Sequence, residues 1–274
     1  MGVSMKNNTP LTQIPEQDLS EQPLITHHLN VGYENHSIVK EVNVHLTKGQ
    51  TLALVGMNGS GKSTFLKTIV GLLAPLGGDI KVFNTWPGRT PKQIGYLSQF
   101  HSSGFILPLQ VIDIVRMGRY PARGLLGKIT SEDNDIVQEA LVTMGVSKLA
   151  NKPLNLLSGG QQQRVFIAQV FAQKADILLL DEPSASLDAA GKELFLQAMQ
   201  REKERGVAIV SATHDIREAA ECDLVMLLAQ RVVALDTPSQ ALTPAALLET
   251  FGVAILQKEQ CMQLAVVPCE HEHS

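Results

Sequence analysis

The sequence lacks the features that define several broad classes of protein. No apolar run approaches the roughly 20 residues that a membrane-spanning helix needs, and no heptad run indicates a coiled coil. Three cysteines at irregular spacing do not suggest a disulfide framework. The formal net charge of -4 also argues against a nucleic-acid partner, because proteins that bind a duplex usually carry a basic face.

The two ends of the chain differ from its middle in composition. Residues 1–22 are polar without periodicity, which predicts a disordered leader, and no apolar signal-peptide core is present, so we expect the chain to stay in the cytosol. Residues 252–274 form a C-terminal tail that contains Cys269, His271 and His273. These three side chains are competent zinc ligands, and the alternative is a plain hydrophilic tail.

Residues 23–251 alternate between strand-like and helix-like segments. The pattern predicts strands at residues 24–31, 38–46, 51–55, 177–181 and 207–212, and helices at 62–73, 161–173 and 190–204. Two further strands and a helix are predicted before residue 251. Such alternation predicts an α/β fold, a mostly parallel sheet with helices on both faces.

A helical subdomain interrupts this alternation at about residues 101–160. Apolar residues recur at helical spacing over 111–120 and 131–144. The pair Ser131 and Glu132 supplies an N-cap signal for the second of these helices. We therefore expect an insertion into a single domain that spans residues 23–251.

A glycine-rich loop follows the short apolar strand at residues 51–55 and precedes a predicted helix. It fits the pattern G-x-x-x-x-G-K-[ST] with Gly56, Met57, Asn58, Gly59, Ser60, Gly61, Lys62, Ser63 and Thr64. Glycines let backbone N–H groups approach a phosphate, and the helix N-terminus adds partial positive charge. Lys62 brings a full charge to the outer phosphates, and the Ser63 hydroxyl can ligate Mg²⁺. The pattern predicts an ATP site.

Two adjacent carboxylates end the apolar strand at residues 177–181. Ligands gather at the carboxyl ends of parallel strands, so Asp181 is suited to hold Mg²⁺. Glu182 is then available to orient and deprotonate an attacking water. The alternative is a solvated strand end, which the phosphate loop upstream makes the weaker interpretation.

The segment Leu157-Ser158-Gly159-Gly160-Gln161 resembles the signature of the ABC transporter ATPases. Further residues match that family's motifs in its order: Tyr33, Gln99, Asp188 and His214. The resemblance implies a P-loop NTPase core of mostly parallel sheet with flanking helices. It also implies an inserted helical subdomain and an N-terminal antiparallel β portion.

The resemblance implies a role for each of these residues. Tyr33 stacks on adenine, Gln99 reaches the Mg²⁺ ion and the attacking water, and His214 contacts the γ-phosphate. Together with Ser63 and Asp181, Gln99 completes the set of expected metal ligands. Glu182, His214 and Gln99 are the expected catalytic residues, and the cofactors are ATP and Mg²⁺.

The signature supplies a second phosphate-binding end, because Ser158, Gly159, Gly160 and Gln161 precede or open a predicted helix. In the family, this end meets the phosphate loop of a second subunit, with Asp188 also at the nucleotide. The resemblance thus implies a homodimer of two-fold symmetry that buries two ATP molecules. It further implies integral membrane permease subunits, an extracytoplasmic substrate-binding protein and a peripheral location on the cytoplasmic face of the membrane.

The sequence identifies the transported substrate less specifically than it identifies the ATP site. Residues 107–120, 232–235 and 247–252 resemble the cassettes of zinc and manganese importers, while residues 118–121 also resemble those of iron-chelate and cobalamin importers. Two other hypotheses are a soluble ABC ATPase that acts on ribosomes or DNA, and a regulatory module without turnover. The apolar Phe105, Ile106 and Leu107 are expected to dock on the membrane subunits or to pack within the insertion.

Overall fold

The computed structural model describes residues 22–99, 109–124 and 127–252, together with the backbone of residues 257–258 and 261–262. Three expectations therefore lie outside the described residues. They concern the leader at residues 1–21, the docking residues Phe105, Ile106 and Leu107, and the tail ligands Cys269, His271 and His273.

The described residues form strands and helices largely where the sequence predicts them. The strands are β1 (Leu24–Tyr33), β2 (His36–Leu46), β3 (Thr51–Val55), β4 (Gly77–Val82), β5 (Ile94–Leu97), β6 (Ile177–Asp181), β7 (Ala208–Thr213), β8 (Leu224–Leu228), β9 (Val232–Asp236), β10 (Gln257–Lys258) and β11 (Cys261–Met262). The α-helices are α1 (Lys62–Val70), α2 (Val111–Met117), α3 (Tyr120–Arg123), α4 (Ser131–Thr143), α5 (Gly159–Ala172), α6 (Ala189–Glu204), α7 (Ile216–Ala220), α8 (Pro238–Ala241) and α9 (Pro244–Phe251). In the part of the chain so described, no helix is long and apolar enough to cross a membrane.

Besides the two-stranded pair β10-β11, the described strands form two sheets. The larger has the strand order β5-β6-β7-β3-β8-β9, in which only β9 runs antiparallel to its neighbour. The smaller sheet, β2-β1-β4, is antiparallel throughout. Both the mostly parallel sheet and the N-terminal antiparallel portion are thereby confirmed. The parallel order brings the carboxyl ends of β3, β6 and β7 side by side.

The strand β6 shows why an unbroken apolar run suits the middle of this sheet. Its side chains alternate between two cores. Ile177 and Leu179 join α1 and the antiparallel sheet, while Leu178 and Leu180 join α2, α4, α5 and α6 on the other face. Because both faces are covered, every residue of β6 is buried.

Several helix ends differ from the prediction by one to three residues, and two of the differences at helix ends have a clear local cause. The helix α1 ends at Val70 rather than residue 73, because Gly71 adopts a left-handed conformation with φ of 85° and closes the helix. The helix α4 is capped by Thr130 rather than by Ser131. The Thr130 hydroxyl accepts the amide of Asp133, and the Asp133 carboxylate accepts the amide of Thr130, which satisfies two free backbone donors.

Candidate active site

The phosphate loop joins β3 to α1 and requires glycine at both of its ends. Gly61 has φ of 108°, a left-handed conformation that glycine adopts without strain. A Cβ atom there would lie 2.3 Å from Cγ2 of Val39, and one at Gly56 would lie 2.2 Å from the carbonyl oxygen of Leu228. Any side chain at either position would therefore displace the loop from the end of the sheet.

The ammonium of Lys62 is enclosed by this loop. The residue is only 5% exposed, and Nζ donates to the carbonyl oxygens of Gly56 at 2.7 Å and Met57 at 3.1 Å. Burial lowers the pKa of Lys62, while the negative charges of Glu182 and Asp181 act in the opposite direction. A buried cation thus lies within electrostatic range of two carboxylates, and the ammonium itself is the group that can bind an anionic ligand.

The carboxylate of Asp181 has the character of a cation ligand. The residue is 2% exposed, and its Oδ1 atom has no hydrogen-bond partner among the described residues. Burial raises the pKa of Asp181, whereas a hydrogen bond from the Ser63 hydroxyl lowers it. Hard oxygen donors of this kind fit Mg²⁺. The structure therefore brings together two of the three expected metal ligands.

Glu182 immediately follows β6 and contacts the third expected ligand. Its backbone has φ of 51°, a left-handed conformation that is uncommon for residues other than glycine, and its amide donates to the carbonyl oxygen of Ala212. Nε2 of Gln99 donates to Oε2 of Glu182 at 3.2 Å. Because Gln99 follows β5, this bond joins the ends of two neighbouring strands.

His214 lies at the same edge of the sheet. It directly follows β7, and the pairing of Asp181 with Ala212 sets the end of β7 beside that of β6. The side chain is exposed, so it is accessible to a ligand. The strand register therefore places His214 and Asp181 at one edge of the sheet.

The signature residues form the N-terminus of α5. Ser158 is the N-cap, its hydroxyl accepts the amide of Gln161, and the Gln161 side chain accepts the amide of Ser158. Gly159 and Gly160 form the first turn. Among the described residues, no hydrogen bond joins this turn to the phosphate loop.

The two remaining predicted residues have different local settings. Asp188 is the N-cap of α6, where its carboxylate accepts the amide of Gly191 at 2.8 Å. Tyr33 ends β1 and is 43% exposed, which leaves its ring accessible. In the described part of the chain, no hydrogen bond joins Asp188 to the phosphate loop.

Sequence reasoning missed two residues that brace the strand ends. Nε2 of Gln163, on the signature helix, donates to the carbonyl oxygen of Pro183, next to Glu182. Its inward position follows helical periodicity, since Ile167 and Val170 lie four and seven residues further on, so the pattern could have revealed it. Glu218, on α7, accepts the hydroxyls of Thr213 and Ser184, and no local pattern signals its contact with Ser184, 34 positions away in the chain.

Comparison with known proteins places this site in a family. Residues 39–185 match the ABC transporter family. The manganese transport system ATP-binding protein MntB of Bacillus subtilis is 33% identical over 84% of this chain and 92% of its own length. The zinc transport system ATP-binding protein TroB of Treponema pallidum is 32% identical over 82% of this chain and 85% of its own length. The hemin import ATP-binding protein HmuV of Pseudomonas entomophila is 36% identical over 84% of this chain and 91% of its own length.

Solved structures agree with these sequence relatives. A metal-chelate type ABC transporter in an inward-facing conformation has a TM-score of 0.76 and 28% identity, over 87% of this chain and 92% of its own. An ATP-binding cassette solved as a dimer with ADP and phosphate has a TM-score of 0.68 and 27% identity, over 78% of this chain and 98% of its own. The chain therefore belongs to the ABC transporter family and carries that family's ATPase domain.

Proposed function

We propose that this chain hydrolyses ATP to drive the import of manganese or zinc through separate membrane-spanning subunits. The observation that carries the proposal is the meeting of Lys62, Asp181, Glu182 and Gln99 at one end of the parallel sheet. The manganese and zinc transport relatives support the substrate class.

In this proposal, Lys62 binds the outer phosphates of ATP. Its ammonium now donates to two carbonyl oxygens of the loop, and phosphate oxygens would supply stronger acceptors for the same donor. Asn58, Gly59, Ser60, Gly61 and Thr64 complete the phosphate cradle. Ser63, Asp181 and Gln99 would hold Mg²⁺, which when bound neutralises charge on the phosphates.

The proposed catalytic residues are Glu182, Gln99 and His214. Glu182 would orient the attacking water and remove its proton, a role that requires the ionised carboxylate. The bond from Gln99 would keep the Glu182 side chain directed along the sheet edge. His214 would donate to the γ-phosphate, and Tyr33 would stack on adenine.

The presence of two phosphate-binding helix ends in one chain supports a dimer. A head-to-tail pair with two-fold symmetry would bring Ser158, Gly159, Gly160 and Gln161 of each subunit to the ATP held by its partner. Asp188 would join them from the start of α6. The related cassette solved as a dimer with ADP and phosphate supports this arrangement.

ATP-dependent dimerisation is expected in a Glu182→Gln background and should disappear when Ser158→Asp is added. Aspartate is a good N-cap, so α5 should persist, but the new charge would repel the partner's ATP. Light scattering with and without ATP measures the change. The matched control is Thr243→Asp at the N-cap of α9, which should leave dimerisation intact. Equal dimerisation in both variants would contradict the role of Ser158.

A groove beside the nucleotide site is the proposed contact with the membrane permease. It encloses about 610 Å³ and is lined by Ser98, Gln99, Met117, Pro121 and Gln169, among others. Because Gln99 touches both the groove and Glu182, a partner seated there would respond to the state of the nucleotide. The chain would then be a peripheral subunit on the cytoplasmic face of the membrane, with an extracytoplasmic substrate-binding protein completing the system.

A specific observation keeps iron-chelate import as a second candidate. The hemin import relative is 36% identical to this chain, and a matching solved structure is of metal-chelate type. Both candidates use the same ATP site, so the substrate must be identified by measuring transport rather than ATP hydrolysis.

Uptake of radioactive manganese, zinc and an iron chelate by parent cells and cells with Glu182→Gln distinguishes the candidates. We expect manganese or zinc uptake to fall to background in the variant cells, while iron-chelate uptake stays at the parent level. The reverse pattern would favour iron-chelate import. Parent-level uptake of all three would contradict the transport proposal.

A further inference from the structure

The carboxylate of Glu218 joins two segments that carry proposed catalytic residues. It lies on α7, and its side chain is 16% exposed. Its Oε2 atom accepts the hydroxyl of Ser184 at 2.8 Å and the hydroxyl of Thr213 at 3.0 Å. Hydrogen bonds to an ionised acceptor are stronger than those between neutral groups. One oxygen atom thus ties two loops together.

Both hydroxyls belong to residues that lie close in sequence to a proposed catalytic residue. Ser184 is two residues after Glu182, and Thr213 directly precedes His214. The Thr213 hydroxyl also accepts the amide of Asp215 at 3.0 Å, so it braces the backbone on both sides of His214. A displacement of Glu218 would therefore act on both loops at once.

A third contact extends this brace to the helix after Asp188. Nζ of Lys192, on α6, lies 3.8 Å from Oε1 of Glu218. Gln163, on α5, donates to the carbonyl oxygen of Pro183, so the backbone after Glu182 is held by side chains from two helices. Ser184 and Thr213 are both largely buried, which protects their bonds to Glu218 from exchange with water.

We infer that Glu218 is a positioning residue that fixes Glu182 and His214 relative to each other during ATP hydrolysis. In this role Glu218 contacts neither ATP nor the attacking water, and it acts only through Ser184 and Thr213. The inference rests on the proposed roles of Glu182 and His214. Catalytic geometry is sensitive to such support, because a misplacement of about 1 Å can cost about 10²-fold in rate.

The test compares Glu218→Ala with Glu218→Gln in the full-length chain. We expect Glu218→Ala to lower the kcat of ATP hydrolysis roughly 10- to 100-fold, with a change in KM of less than about twofold. Glu218→Gln should recover most of the rate, because its amide oxygen can accept both hydroxyls. The matched control is Glu221→Ala, an exposed glutamate just beyond the same helix, which should keep the parent kcat.

Single removals of the partner hydroxyls give an independent measurement that does not depend on how well Glu218→Ala folds. Ser184→Ala and Thr213→Val should each lower kcat. Ser184→Ala should not lower it further when combined with Glu218→Ala, because the Ser184 hydroxyl acts through Glu218. Additive losses in that pair, or a parent kcat in Glu218→Ala that folds normally, would overturn the inference. So would an equal loss in Glu218→Gln and Glu218→Ala, which would indicate a role for the charge alone.

Glu182→Gln, measured in the same assay, separates this inference from the proposed function. A parent-like rate in Glu182→Gln would reject the role of Glu182 as the base, and with it the premise of the inference. A slow Glu182→Gln beside a parent-like Glu218→Ala would reject the positioning role alone.

Discussion

Replacement of Glu182 by glutamine is expected to lower the kcat of ATP hydrolysis roughly 10²- to 10⁴-fold, the usual contribution of a general base. Glutamine has the same length but cannot accept a proton. Its amide oxygen can still accept Nε2 of Gln99, so the geometry at the strand end should persist. Steady-state hydrolysis by the purified chain measures kcat, and equilibrium binding of a fluorescent ATP analogue measures affinity, which should change little.

The matched control for this prediction is Glu221→Gln. Glu221 is exposed at the end of α7, so the same chemical change there should leave both kcat and ATP affinity at the parent level. A parent-like kcat in Glu182→Gln would contradict the base assignment. A loss of ATP affinity comparable to the loss of kcat would instead indicate that Glu182 supports the phosphate loop.

The parts of the fold that the sequence predicts are those governed by local pattern. Strands β3 and β6 have the predicted bounds because a run of four apolar residues in each suits a sheet covered on both faces. The phosphate loop can also be predicted from local sequence, because a Cβ atom at Gly56 or Gly61 would clash with its neighbours and only glycine fits there. Where such a loop follows one strand and two carboxylates follow another, the site can be placed before the structure is known.

Long-range polar contacts explain what the sequence could not predict. Glu218 meets Ser184 across 34 positions of the chain, and nothing near either residue indicates the other. The cap at Thr130 was missed for a related reason. Ser131 and Thr130 are both favourable cap residues, and the choice between them depends on which side chain the amide of Asp133 can reach.

Asp133 also anchors a buried ion cluster among helices α3, α4 and α5. Its carboxylate is fully buried and accepts Nε of Arg119 at 2.9 Å and Nε of Arg123 at 2.7 Å. Arg119 in turn donates to the carbonyl oxygen of Ala172 at the end of α5. The cluster therefore joins α3 and α4 to the helix that begins with the signature.

Replacement of Asp133 by asparagine is expected to lower the free energy of unfolding by about 3–5 kcal/mol. The substitution leaves the guanidinium of Arg119 buried without a counter-charge, and loss of one member of a buried pair typically costs this much. Urea denaturation followed by circular dichroism measures the change. The matched control is Asp113→Asn, which removes a half-exposed pair with Arg116 and should cost about 1 kcal/mol or less.

The pH dependence of this difference tests its electrostatic origin. The hydrogen bond from Arg123 is the main cause that holds the pKa of Asp133 below its ordinary value, against the effect of burial. A lowered pKa in the folded state gives stability that is fully present above the unfolded value of about 3.9, and that is lost as the pH falls toward the folded value. The gap in unfolding free energy between the parent and Asp133→Asn should therefore stay constant near neutral pH and narrow below about pH 4. A gap that keeps its full size in acid would show that the substitution acts through packing or capping, because an uncharged carboxyl could not sustain the ion cluster.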